Sequence, residues 1–169
     1  MNILASPTDD ADYQAAEQQL LIFSLDAQRY ALSTQAVVKV FHAAAITPLN
    51  TNDRSVEGLL DVQGRIALVL NLRQLLGLPH RALSISDKMI LIHHLQRCYV
   101  LRVDKVLDTR FYRQTDIISA NKIAPELAQL HGVIRIDRDL ALIEDLDILF
   151  ARIATTITEL VDNVAVNGG

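Results

Sequence analysis

Cysteine is almost absent from this chain. Cys98 is the single one in 169 residues, so neither an internal disulfide nor a cysteine-built zinc cage can form. That usage suits a reducing compartment, and the chain is expected to be cytoplasmic. Aromatic residues make up 5% and do not interleave with basic ones, which leaves no stacking platform for single strands. Lys and Arg are scattered and outnumbered, with a net charge of −4 and a pI near 5.7. Neither nucleic acid nor an anionic membrane surface is therefore an expected partner, because both need clustered cations. No uninterrupted apolar run approaches the roughly 18 residues that a membrane span requires. Residues 1–19 lack the basic start and long apolar centre of a signal peptide. With Asp9, Asp10 and Asp12 they read as a flexible polar leader.

What is present is apolar material in short pieces. Half the residues are hydrophobic, enough for one packed domain over 20–162. "LLIFSL", "DAQR" and "YALS" read as two strands around a polar turn, and "AVVKVF" (Ala36 to Phe41) as a third. "TPLNTNDRSVE" collects Pro, Asn, Asp and Ser and reads as a surface loop. Leu59–Val62 and Ile66–Leu70 have strand length, and Gly64 between them suits a tight turn. Asn71 can cap a short helix carrying Leu72, Leu75 and Leu76, with Gly77 and Pro79 as stop signals.

That passage occurs twice. Sliding the chain by 74 positions lays "GLLDVQGRIALVLNLRQLL" (Gly58 to Leu76) on "GVIRIDRDLALIEDLDILF" (Gly132 to Phe150) without a gap. Gly58 meets Gly132, Leu72 meets Leu146, and the cap Asn71 meets Asp145. Upstream, "LIFSLDAQRYAL" (Leu21 to Leu32) resembles "LIHHLQRCYVL" (Leu91 to Leu101), read with one residue fewer in the turn. A repeat this long suits two small barrels rather than a solenoid. The expected fold is mostly β: two five-stranded β-barrel subdomains, about 20–80 and 88–150, sharing a hydrophobic core, with short helices. From Leu146 the apolar period becomes 3.6, through Leu149, Phe150, Ile153, Ile157, Leu160, Val161 and Val164. This predicts a C-terminal helix over about 146–162 and a frayed tail over 163–169.

The residues that could carry chemistry are better explained otherwise. His93 and His94 are neighbours in a predicted strand, where successive side chains face opposite ways and cannot readily chelate one ion. His42, His80 and His131 stand alone near loops. Cys98 lies in an apolar strand without a neighbour to lower its pKa. Asp137 and Asp139 sit in a hairpin turn, and Asp145 beside Glu144 serves as a helix cap. No phosphate-cradling glycine loop and no Ser-His-Asp context occurs. No catalytic residue, metal or cofactor is expected.

The order of "FSLDAQRYALST", "AVVKVF", "ITPL", "VEGLLDVQGRIALVLNLRQLLGL", "VLRVDKV" and "HGVIRIDRDLALIEDLDILF" resembles the CheW-like family of chemosensory adaptors, over about Leu20 to Ala151. The resemblance implies a non-enzymatic coupling protein that joins the cytoplasmic tip of a methyl-accepting chemoreceptor to a CheA-type histidine kinase. It implies recruitment to membrane-associated arrays, in which copies can self-associate. One barrel edge would meet the kinase's homologous regulatory domain, and a groove would receive the receptor's helical hairpin. The groove would involve Val38, Lys39 and Val40 on one strand and Val103, Asp104 and Val106 on another. Gln63, Gly64 and Arg65 would lie near the array contacts.

The chain departs from that pattern in places. The family commonly has an acid where Lys39 stands, an arginine at Gln63, a proline at Leu68 and a glycine at Val100; the loop near Thr51 lacks its second proline. Apolar replacing apolar preserves a fold, whereas altered rim charges act on partner choice. Two other readings follow: a scaffold of the same fold in a different membrane or polar-localisation pathway, or a small β-barrel metal-binding or enzymatic module using His93, His94 or Cys98.

Overall fold

The computed structural model describes residues 17–128, 130–154, 157–159 and 162. Its strands are β1 (Glu17–Leu25), β2 (Gln28–Ser33), β3 (Val37–His42), β4 (Thr47–Pro48), β5 (Val56–Val62) and β6 (Arg65–Leu70), then helix α1 (Leu72–Leu75). There follow β7 (Lys88–His94), β8 (Arg97–Val103), β9 (Lys105–Arg113), β10 (Ile117–Ser119), helix α2 (Ala120–Ile123), β11 (Leu130–Ile136), β12 (Asp139–Glu144) and helix α3 (Leu146–Ala151).

β1 shows why these apolar runs are continuous rather than alternating. Leu20 and Ile22 point into one core, while Leu21, Phe23 and Leu25 point into another. β7 repeats this, with Met89 and Leu91 on one side and Ile90 and Ile92 on the other. A strand buried on both faces needs an apolar residue at every position. Each sheet curls around a small core of its own. Their other faces meet in a shared core containing Phe23, Tyr30, Leu70, Ile92, Tyr99, Leu101, Leu149 and Phe150. Each such large side chain, fully buried, contributes about 1.5–3 kcal/mol.

The sheets run β10–β11–β12–β2–β1–β9 and β4–β5–β6–β8–β7–β3. Position by position these orders correspond, and in each the third and fourth strands form the parallel pair. The mostly β, two-barrel expectation holds, with six strands per sheet instead of five. The additional strands are β4 and β10, only two and three residues long; pieces that short carry no periodicity to read.

Sheet membership does not follow the expected division between 20–80 and 88–150. The first sheet combines residues 17–33 with 105–144, and the second takes 37–70 and 88–103. Each repeat sends its opening hairpin into one sheet and its remaining strands into the other. The barrels are therefore interleaved, and the shared core is a consequence of that exchange.

The repeat itself is closely kept. β5 and β11 both slip register just before their glycines, Gly58 and Gly132, and the turn residues Gln63 and Asp137 share φ values of 54° and 55°. The glycines are required by close approach: a Cβ on Gly58 would lie 2.1 Å from the Thr47 carbonyl oxygen, and one on Gly132 2.8 Å from that of Ile118. The opening hairpins differ from the expectation of unequal turns. Phe23 pairs Tyr30 around Asp26-Ala27, and Ile92 pairs Tyr99 around Leu95-Gln96, so both turns hold two residues.

Asn71 and Asp145 cap their helices as expected, accepting from Gln74 N–H and from Asp147 and Ile148 N–H. The predicted long C-terminal helix is interrupted. α3 ends at Ala151, Ile153 N–H bonds back to Phe150 at three-residue spacing, and helical residues resume at 154, 157–159 and 162. Ile153 and Ile157 are buried in the shared core. Leu160, Val161, Val164 and the tail over 163–169 lie outside the described residues, as does most of the leader over 1–19.

Candidate partner interface and the ion-pair chain behind it

β3 and β9 close no barrel; each is an edge strand paired on one side only. In β3 the register slips between Val37 and Lys39, leaving Val38 as the bulged residue. In β9, Val106 faces Phe23 and Asp108 faces Ile22, which leaves Leu107 in the corresponding place. Val38 and Leu107 are exposed to nearly the same degree, 47% and 45%. A bulge turns an edge away from further strand pairing while presenting its side chains. Val40 beside Val38 is also exposed, whereas half-buried Lys39 sets its ammonium 5.6 Å from the Phe41 ring centre.

Gln63, Gly64 and Arg65 form the exposed β5–β6 turn, fastened by Gly64 N–H donating to Asp61 Oδ1 at 2.7 Å. Ile66 next to it is 63% exposed, and its repeat counterpart Leu140 is 51% exposed. Each barrel tip thus offers one aliphatic side chain beside a rigid turn.

The second segment expected at the groove lies differently. Val103 is fully buried in the shared core and has no surface to offer a partner. Val106 is half-buried against that core, and Asp104 is turned inward. Val38, Lys39 and Val40 lie at the edge of one sheet; Val106 is the second residue of the edge strand of the other.

Asp104 belongs to a chain of seven charged groups. Arg73 on α1 donates from Nη2 to Asp26 at 2.8 Å and to Asp104 at 2.7 Å. Arg81 joins Asp104 at 2.6 Å to Asp87. Arg102 joins Asp87 at 3.2 Å to Glu57 at 2.7 Å. Arg73, Arg102 and Asp87 are buried, so each ion relies on these partners. Asp26 N–H and Ser84 N–H donate to Asp104 and Asp87 as well. Burial would raise the pKa of both carboxyls, but the hydrogen bonds outweigh it and hold them below the usual aspartate value. The same contacts raise the pKa of Arg73 and Arg81, led by hydrogen bonds to Asp26 and Asp87 respectively. The chain ties the loop after α1 to the point where β8 passes from one sheet into β9 of the other.

This network was not foreseen from sequence. Its signal is the arginine inside each apolar run, Arg73 in "NLRQLL" and Arg102 in "YVLRV", since a buried guanidinium demands acids nearby.

His93 is exposed and sits opposite Cys98 across the β7–β8 hairpin, while half-buried His94 stacks on Phe150 at 4.5 Å. Among the described residues, no three His, Cys, Asp or Glu side chains are grouped to hold a metal ion. No described helix is long and apolar enough to cross a membrane.

Interleaved barrels with a shared core, open edges and a buried ionic brace define a β-module whose accessible features are edges and turns. The chain belongs to the CheW-like domain family, whose model matches residues 19–154. Its fold is similar to that of the scaffolding protein TtCheW from Thermoanaerobacter tengcongensis, with a TM-score of 0.71 and 24% identity over 79% of this chain and 92% of that one. No curated protein sequence matches it.

Proposed function

We propose that the protein is a non-catalytic adaptor that couples a chemoreceptor's cytoplasmic tip to a CheA-type histidine kinase. The observation that carries this reading is the pairing of exposed aliphatic residues on rigid supports: Val38 and Leu107 on the bulged edges, Ile66 and Leu140 at the barrel tips. Membership of the CheW-like family and the likeness to a scaffolding protein support it. The tip carrying Gln63, Gly64, Arg65 and Ile66 meets the kinase's regulatory domain. The β3 edge, through Val38 and Val40 with Lys39 at the rim, takes the receptor's helical hairpin by apolar burial. Copies can also meet one another within an array. Val103 and Asp104 act from inside, shaping the β8–β9 junction.

Size-exclusion chromatography of the full chain with the regulatory domain of its kinase tests this. Co-elution is expected, weakened at least tenfold by Ile66→Glu, with Leu140→Glu as the reference at the opposite tip. Both sites are exposed, so the variants retain the fold. Absence of co-elution, or indifference to Ile66→Glu, would contradict the reading.

A second reading, a scaffold in a different membrane or polar-localisation pathway, rests on Lys39 and Gln63, which change the charge of the proposed contact surfaces.

A further inference from the structure

The ion-pair chain has a structural counterpart in the other barrel, and that place is open. The closing-hairpin repeat sets Glu57 on His131 and Arg73 on Asp147; the opening-hairpin register sets Arg102 on Ser33 and Asp104 on Gln35. All four counterparts line one cavity of about 690 Å³. Where the barrel of the second sheet holds three guanidinium groups among carboxylates, that of the first holds Glu17, Glu144, Asp145 and Asp147, and no described Lys or Arg lines the space.

Glu144 makes this more than an acidic cluster. It is 7% exposed, lines the cavity, and its Oε1 has no hydrogen-bond partner. A buried carboxylate oxygen without a donor is costly, and it awaits one. Arg152 acts on Glu144 through space but gives Nη1 to the Leu75 carbonyl at 2.9 Å and does not line the cavity. Residues 1–16 and 153–169 contain no Lys or Arg, so neither terminal segment has such a side chain to contribute.

We propose that this cavity, between β1, β2, β12 and the start of α3, is a binding site for an external guanidinium cation, with Glu144 as its buried counter-ion. The braced barrel shows the chemistry in place: a guanidinium there answers two carboxylates at once, as Arg73 does. The volume lies within the range of small-ligand pockets and exceeds what one side chain fills. His94, 3.5 Å from Asp147 at the mouth, and Phe111 supply flat surface for the cation's planar face. This inference is independent of the adaptor reading.

The test is titration of the full chain, followed by amide NMR, with Nα-acetyl-arginine amide and with its neutral isostere Nα-acetyl-citrulline amide. The arginine compound is expected to shift the amides of Ser33–Gln35, His131 and Glu144–Asp147, and the citrulline compound to leave them unmoved. E144Q should weaken binding at least tenfold while its spectrum stays folded; D147N, at the exposed mouth, should weaken it only a few-fold. Agmatine and an arginine-bearing helical peptide, run in parallel, separate the sources. Tighter agmatine binding points to a free small cation, and tighter peptide binding to a partner's side chain. No binding of any guanidinium probe, equal binding of citrulline, or unchanged affinity in E144Q would overturn the proposal.

Discussion

The two barrels agree wherever backbone or apolar packing is at stake and part company at the polar positions. β6 and β12 share the same sequence of buried and exposed positions, their turns a left-handed residue at the same place, their helices the same kind of cap, and the edge strands β3 and β9 a bulge at the same place. Yet the place braced in one by Arg73, Arg81 and Arg102 is an open acidic cavity in the other. The apolar framework specifies the fold and leaves polar positions free to diverge. One copy is locked by ion pairs and the other lines a cavity.

The strongest way to break this comparison is at the lock. Arg102→Ala strands Glu57 and leaves buried Asp87 with Arg81 as its one remaining cation, and should cost about 3–5 kcal/mol in urea unfolding. Replacing its nearest repeat counterpart, Ser33→Ala, should cost under about 1 kcal/mol.

The glycines come next. Gly58→Ala drives a methyl to 2.1 Å from a backbone oxygen and should destabilise by about 3 kcal/mol; Gly132→Ala, whose tightest contacts are 2.7 and 2.8 Å, should cost about 1–2 kcal/mol. Thermal unfolding of the two variants should rank them in that order.

The pH dependence distinguishes the barrels by sign. Burial pushes the Glu144 carboxyl up to about 7 from 4.5. The folded state then holds a proton that the unfolded state has released. Stability is full below 4.5 and falls as pH rises through about 7, by up to about 3 kcal/mol. Asp87 and Asp104 behave oppositely: their contribution is present above 3.8 and lost as pH falls through their lower folded values. Denaturant midpoints from pH 3 to 9 should therefore fall at both ends, and Glu144→Gln should flatten only the upper slope.

The smallest effect on stability is expected at the rim. Lys39→Glu combined with Gln63→Arg should change stability by under about 0.5 kcal/mol while shifting affinity for kinase or receptor about tenfold, read by calorimetry.

Much of this was legible in sequence. Gly58 and Gly132, Asn71 and Asp145, and the slide of "GLLDVQGRIALVLNLRQLL" onto its copy gave the hairpins, caps and repeat, because backbone demands of that kind leave local marks. The exchange of strands between barrels left no such mark. Which strand β9 pairs with depends on residues almost a hundred positions away, and a repeat is equally compatible with separate or interleaved units. Val103 and Asp104 were placed at the groove by the family resemblance, which carries over a position along the chain and not its burial. Burial of Val103 depends on where Phe23 and Ile92 pack, and the inward turn of Asp104 on Arg73 and Arg81. The cavity was invisible for the same reason, since Glu144 reads locally as one more acid before a helix cap.

The adaptor account is tested most directly by mixing the full chain with a chemoreceptor hairpin and the kinase regulatory domain together and measuring the mass of the complex by light scattering. Because the β3 edge and the Gln63–Ile66 tip are separate surfaces, one ternary species holding all three is predicted. Two partners that displace each other, or a chain that stays alone beside both, would contradict it.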